Sequence, residues 1–234
     1  MRIMWTYGFE NLDPNKFIEV SNKNVYFGVK PENGLYGSPD KYAWLEFCVN
    51  GLPKNCKDRL CIDISSLNIL KIENKEDVKK LIEKYLIFNV SKDKEKYLLN
   101  ENGIQINFEK IAKDYDAFEI GESISFDFDF RMYEINLKDS LEQIQEASIY
   151  LKQNFLKGEI IELPVDDFKN FLKEDVINFE SEKIINFGLY DIPTICVLTK
   201  DGFNKLNVIE KEKVTFEEIL KVAENKNVAE EFVR

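Results

Sequence analysis

Residues 124–130 alternate without a break: Ile124, Phe126, Phe128 and Phe130 fall on one side, Ser125, Asp127 and Asp129 on the other. Successive strand side chains point to opposite faces, so this period of two makes one face apolar and one polar. Such a segment is a half-buried antiparallel strand. A parallel strand covered by helices on both faces reads as a continuous apolar run instead. The pattern therefore argues against a doubly wound parallel sheet.

The remaining elements agree. Short strands are expected at 2–8, 25–29, 59–64, 67–72, 86–90, 115–120, 184–189 and 194–198, with a charged loop at 91–96 and a turn at 100–103. A helix over 75–85 places Val78, Leu81, Ile82 and Tyr85 on one face, and Asn107 caps a short helix over 108–113. The longest helix is read over 138–155, with Leu141, Ile144, Ser148, Leu151 and Phe155 on one stripe, and another over 164–173. Thr215-Phe216-Glu217-Glu218 is a capping box that opens a C-terminal helix. Strands and helices mix without regular alternation, so the fold class is α+β with mixed, largely antiparallel sheets and peripheral helices. No repeat, low-complexity linker or boundary divides residues 1–234. One domain is expected, with a helical insertion at about 138–175 and the C-terminal helix at about 215–233. Eighteen Phe and ten Tyr in a chain that is 44% hydrophobic supply its core.

The chain contains no histidine. That removes Ser-His-Asp and Cys-His catalysis, histidine metal sites and histidine pH switching together. Cys48, Cys56, Cys61 and Cys196 form no C-x-x-C pair, and Cys61 and Cys196 lie in apolar runs, which reads as buried free thiols. Asp127 and Asp129 are a solvated strand face, so no metal site is expected. With a net charge of −11 and four arginines (Arg2, Arg59, Arg131, Arg234) among 32 basic residues, direct DNA binding is not expected. The surface suits solubility or a basic protein partner. No apolar run approaches the roughly 20 residues that span a bilayer, and Met1-Arg2-Ile3-Met4-Trp5 lacks a signal-peptide core, so the expected location is cytoplasmic.

Residues 30–48 concentrate the local signals. A Pro/Asn/Gly turn leads to a short strand carrying Tyr36, and Ser38-Pro39-Asp40 reads as a helix start with Ser38 as N-cap. The helix is expected to bury Tyr42, Trp44 and Leu45. A tight turn, an exposed ring and a helix N-terminus can together hold a ligand with a ring and a phosphate, and they also suit an ordinary loop.

Three separated pieces resemble the ADP-ribosyltransferase-like superfamily in its bacterial and phage-type members. They are Tyr7-Gly8-Phe9 with Leu12-Asp13-Pro14, then residues 30–39 with Trp44, and then Tyr190-Asp191-Ile192-Pro193-Thr194-Ile195-Cys196-Val197. Their order and spacing cover residues 1 to about 206. The resemblance implies sheets split around a cleft that takes NAD as substrate, with ADP-ribose passed to a macromolecular target. It implies that Tyr7, Gly8, Gly34, Tyr36, Ser38 and Trp44 bind the cofactor. Tyr36 would stack on the nicotinamide, and Asp191 would sit by the ribose, where an oxocarbenium-like charge develops. Two positions depart from the family. Tyr7 stands where many members have a His, and Arg2, at the extreme N-terminus, is the one stand-in for the arginine of the other subtype. Pro193 stands at the acidic position, leaving Asp191 offset by two strand rises, about 6–7 Å. The departures imply a second reading: a non-catalytic acidic protein docking on a basic partner. A phage or mobile-element inhibitor of a host nucleic-acid-processing enzyme would fit. The Lys-, Asn-, Ile- and Glu-rich composition suits an AT-rich bacterial source under either reading.

Overall fold

The computed structural model describes residues 1–23, 25–26, 29–51, 57–93, 96–122, 132–136, 161–164, 182–186, 190 and 192–223. The apolar N-terminal run forms β1 (Ile3–Tyr7), and Gly8 ends it at φ +84. Then follow β2 (Val25–Tyr26), β3 (Lys30–Pro31), β4 (Leu35–Gly37), α1 (Ala43–Gly51), β5 (Asp58–Asp63), β6 (Ile69–Ile72) and α2 (Lys75–Tyr85). Next come β7 (Leu86–Asp93), β8 (Lys96–Ile106), α3 (Phe108–Asp114), β9 (Ala117–Ile120), β10 (Met132–Asn136), β11 (Ile161–Pro164) and β12 (Glu182–Asn186). The described chain closes with β13 (Thr194–Val197), α4 (Lys200–Asn204), β14 (Asn207–Lys213) and α5 (Phe216–Val222).

The architecture is α+β, with mixed, mostly antiparallel sheets and short helices. One sheet has the order β1-β5-β14, antiparallel throughout. A second has the order β4-β13-β9-β6, antiparallel except for the parallel pair β6–β9. A third runs β11-β7-β8, and β2-β3 and β10-β12 form separate pairs. No helix among the described residues is long and apolar enough to cross a membrane.

The first two sheets share a core. Met4, Leu60 and Ile62 from one meet Leu35, Ala117, Ile195 and Val197 from the other, with Ile64 and Phe203 beside them. They are stitched where β1 crosses the end of β4. Trp5 N–H donates to the Ser38 carbonyl at 2.8 Å, and Ser38 N–H donates back to the Trp5 carbonyl at 2.9 Å. Thr6 Oγ1 adds a bond to the Tyr36 carbonyl at 2.7 Å. Gly37 makes the approach possible, because a Cβ there would overlap the Met4 side chain and lie 2.6 Å from the Trp5 carbonyl oxygen.

This crossing changes the helix start read at 38–40. Both backbone groups of Ser38 are taken by Trp5, so Ser38 extends the strand and does not cap a helix. The Asp40 carboxylate accepts from Tyr42 N–H at 2.8 Å, and α1 begins at Ala43. Leu45 is buried as expected, Trp44 is half-buried, and Tyr42 is 48% exposed, not buried. The turn expected at 100–103 lies within β8. The register jumps there from Val90↔Leu99 to Phe88↔Ile104, so Asn100, Glu101, Asn102 and Gly103 form an irregularity in a continuing strand. The loop expected at 91–96 is in part the continuation of β7. Of the strand expected at 25–29, Val25–Tyr26 forms β2 and Val29 lies in a turn, while residues 27 and 28 lie outside the described residues.

α2 spans the expected residues, with Val78, Leu81 and Tyr85 buried. The Asn107 cap and the Thr215–Glu218 capping box are both formed. The alternating strand at 124–130 and the helix at 138–155 lie outside the described residues. So does most of the insertion at 138–175, whose described part is the strand Ile161–Pro164. Pro164 ends that strand, and the rest of the helix read at 164–173 is outside the described residues.

Gly37→Ala is expected to destabilise the fold by about 1–3 kcal/mol, the usual cost of overpacking. Gly121→Ala, whose Cβ would come no closer than 3.3 Å to Glu73, is expected to cost much less. Urea denaturation of the two variants beside wild type checks this.

Candidate functional site

The pairing of β4 with β13 brings the second and third motif stretches together. Tyr36 lies opposite Cys196, and Cys196 opposite Phe118, so these three share one face of the sheet. Leu35, Val197 and Ala117 form the next row, on the opposite face, against the shared core. Tyr190 stands edge-on to Phe118 at 6.0 Å between ring centroids and continues the aromatic face.

On this face three rings gather around one ammonium. Lys30 Nζ lies 5.3 Å from the Tyr36 ring centroid, 5.8 Å from Trp44 and 5.7 Å from Tyr190. All three are within the roughly 6 Å at which a cation is attracted to a ring face. The two tyrosine rings are held in place by their own hydroxyls. Tyr190 O–H donates to the Val29 carbonyl at 2.7 Å and Tyr36 O–H donates to the Pro31 carbonyl, so they grip the residues on either side of Lys30. Burial holds the Tyr190 phenol well above its usual range and pushes the Cys196 thiol up to about 12. Both stay neutral at physiological pH. Cys61 and Cys196 are free and buried.

The other residues named from sequence are divided between two further places. Gly8 and Gly34 border an open cleft of about 530 Å³ that also includes Phe9, Leu12, Asp13 and Glu32. This cleft draws on the first and second motif stretches. Glu10, Asp13 and Glu32 face it with Lys16 as the one lysine, so it is the wrong sign for a pyrophosphate. Tyr7 belongs instead to a small core with Leu45, Val49, Val214 and Ile219, against which Trp44 of the box also packs, and the Tyr7 hydroxyl donates to the Lys41 carbonyl. Ser38 is fully buried, its Oγ accepting from Asp40 N–H at 3.2 Å. Arg2 forms an ion pair with Glu119. Pro193 is half-buried, and Asp191 lies outside the described residues. Among the described residues no group of three or more Asp, Glu or Cys side chains is arranged to hold a metal ion.

Behind the first motif is a charged cluster absent from the sequence reading. Arg59 on β5 is 3% exposed and pairs with Glu212 on β14 and Glu218 at the start of α5. Lys41 also reaches Glu212 at 2.9 Å. Trp5 is shared between two cations, Lys41 Nζ at 4.8 Å and the Arg59 guanidinium at 5.7 Å from its ring centroid. The cluster thus ties β1, β5, β14, α5 and the chain before α1 together. Burial by itself would raise both carboxyls. For Glu212 the hydrogen bonds from Lys41 and Arg59 outweigh it, and for Glu218 those from Thr215 N–H and Arg59 do, so both titrate below their usual range.

Compared with known proteins, the chain matches no family model, no curated protein and no solved structure.

Lys30 and Arg59 had no sequence signal of their own. Their partners are distant in sequence, reached through strand pairing and helix docking. Tyr190 was visible as part of the third motif, but its role beside Tyr36 depends on the β4–β13 register.

Because the two carboxyls titrate low in the folded chain, their stabilisation is complete above the ordinary carboxylate range, about 4.3, and is lost as pH falls through the depressed folded values. Glu212→Gln is expected to cost on the order of 2 kcal/mol at neutral pH, between an exposed pair and a fully buried one. The gap to wild type should close below about pH 4. Urea midpoints measured at pH 7, 5, 4 and 3 test it, and a gap constant with pH would contradict it.

Proposed function

We propose that this protein is ADP-ribosyltransferase-like, binds NAD with the nicotinamide ring at the box of Tyr36, Trp44 and Tyr190, and transfers ADP-ribose to a protein target. The observation that carries the reading is the box itself. Its rings come from two of the three stretches on which the resemblance rests, brought together by strand pairing and arranged around a positive charge. The nicotinamide of oxidised NAD is a flat ring bearing a positive charge, which suits aromatic faces that already hold an ammonium. The first stretch supports the reading by position, since β1 is bonded to the chain immediately after β4.

Cleavage of the nicotinamide–ribose bond builds oxocarbenium character on the sugar. A carboxylate near that carbon stabilises it, and a ring held over the nicotinamide fixes the leaving group. Tyr36 takes the second role. Asp191, next in sequence to Tyr190, takes the first.

Incubation of the protein with labelled NAD and a bacterial lysate tests this. Label transfer by wild type, reduced at least tenfold in both Asp191→Ala and Tyr36→Ala, is the expected outcome. The reading fails if no label is transferred and millimolar NAD leaves the melting temperature unchanged, since a ligand bound only to the folded state must raise it.

Two observations favour the alternative of a non-catalytic acidic binding protein. Pro193 brings no ionisable group to the family's acidic position, and the cleft beside Gly8 and Gly34 carries three carboxylates against one lysine. That cleft suits Lys or Arg side chains of a basic partner, such as a nucleic-acid-processing enzyme. Pull-downs at low and high salt distinguish it. Capture of a basic protein at low salt, lost as salt rises and weakened by Glu10→Lys with Asp13→Lys, is expected. Capture that ignores both salt and the charge reversal would count against a charge-driven partner.

A further inference from the structure

The sheet of order β4-β13-β9-β6 ends in β6, at the opposite edge from the strand that carries Tyr36. The Ile72 carbonyl accepts from Gly121 N–H at 2.9 Å, just past its partner in β9, and the Asn68 carbonyl accepts from Asp116 N–H at 2.9 Å. Backbone groups alternate in direction along a strand, so Ile69 and Lys71 turn their N–H and C=O groups away from β9. The Ile69 side chain packs against the shared core, which leaves Leu70 on the other face.

A groove of about 550 Å³ lies there, walled by β6 and α2. The α2 wall is one stripe at helical spacing: Asp77, Lys80, Leu81, Lys84 and Tyr85. Leu70, Leu81 and Tyr85, with Tyr115, make its apolar part. Among the described residues that border it, Lys71, Lys80 and Lys84 stand against Asp77 alone. That is an excess of positive charge on a chain of net charge −11.

We infer that this edge is a docking site for an acidic segment of a partner protein, which adds to β6 as a further strand and sets alternate apolar side chains into the groove. The site is separate from the aromatic box and stands or falls independently of the nicotinamide reading.

Strand addition draws its affinity from main-chain hydrogen bonds and its specificity from pockets for alternate side chains, and this edge has both. Charge selects the occupant. A lysine on an edge strand discourages pairing with apolar or basic strands, while an acidic residue placed opposite it is favourable. Lys71 and Lys84 already reach exposed carboxylates, Glu73 at 3.5 Å and Asp114 at 3.1 Å. Such solvated pairs are weak, so each ammonium can be shared with an incoming carboxylate. A single-stranded nucleic acid would also meet lysines and tyrosine rings. Its phosphates only accept hydrogen bonds, however, whereas the outward groups of Ile69 and Lys71 both donate and accept, as a peptide backbone does.

The probe is a fluorescein-labelled peptide in which valine and glutamate alternate, followed by fluorescence anisotropy. Lys71→Pro removes the outward N–H and blocks the edge, a change that an edge strand tolerates. Lys71→Gln keeps the N–H without the charge, and Lys80→Glu reverses a charge at an exposed helix position. The peptide is expected to bind wild type, more weakly as salt rises, and not to bind Lys71→Pro. Lys71→Gln and Lys80→Glu should each weaken it about fivefold, the scale of one exposed ion pair. N-methylating one alternate set of peptide amides, the set facing β6, should abolish binding, and methylating the other set should not. Equal binding to wild type and Lys71→Pro, with melting curves showing both folded, overturns the docking site, as does absence of binding to wild type. Equal binding of a peptide with lysine in place of glutamate overturns the acidic occupant. A thymidine oligonucleotide bound in place of the peptide overturns it in favour of nucleic acid. A dimer in sedimentation velocity that Lys71→Pro dissolves overturns it in favour of a second copy of this chain.

Discussion

The crossing of β1 over the end of β4 is the contact on which the rest of the described structure depends. Two reciprocal backbone hydrogen bonds between Trp5 and Ser38, with the bond from Thr6 Oγ1 to the Tyr36 carbonyl, join sheets that also share a side-chain core. The join requires a residue without a side chain at Gly37, because the Met4 side chain and the Trp5 carbonyl occupy the space a Cβ would take. Once the crossing is made, Leu35 faces the core with Met4, and Tyr36 is turned to the opposite face, toward Cys196 and Lys30. One interaction therefore sets both the interior of the protein and the orientation of its most distinctive surface.

Charge is used in the same economical way. Arg59 is buried with two carboxylates, and Trp5 lies against both Arg59 and Lys41. A buried ion pair gives little net stability over apolar packing, but breaking it by removing one partner is strongly unfavourable. Such a cluster therefore acts mainly to hold α5 and β14 in one position against β5. The Thr215–Glu218 capping box shares this duty, since Glu218 both closes the start of α5 and pairs with Arg59. A signal that looks purely local in sequence is also a tertiary contact.

Legibility differed sharply between kinds of element. α2 and α3 were readable because their apolar spacing and caps depend on residues within one or two turns. The helix start at Ser38-Pro39-Asp40 was misread for the opposite reason. Its local chemistry is favourable for a cap, but the backbone of Ser38 is claimed by Trp5, thirty-three positions away. The turn at Asn100-Glu101-Asn102-Gly103 was misread similarly, because strand pairing on either side carries the chain through it as an irregularity. For the candidate site, Tyr36 and Trp44 were singled out from sequence, whereas the occupant between them, Lys30, was passed over. A lysine next to a proline carries no local mark of what its side chain touches.

The sequence by itself determined the class of structure and the limits on its chemistry. Short strands and helices without regular alternation make an α+β protein, and the absence of histidine limits any chemistry to carboxylates, tyrosine, serine, cysteine, lysine and backbone dipoles. These are properties of composition and local spacing, independent of how distant segments meet. The tertiary structure alone decided which motif residues become neighbours. It placed Tyr36, Trp44 and Tyr190 around Lys30, assigned Gly8 and Gly34 to a separate acidic cleft, and buried Ser38. The physical reason is register. Strand partners far apart in sequence are chosen by the fit of whole sheets, and a shift of one residue turns a side chain from one face to the other.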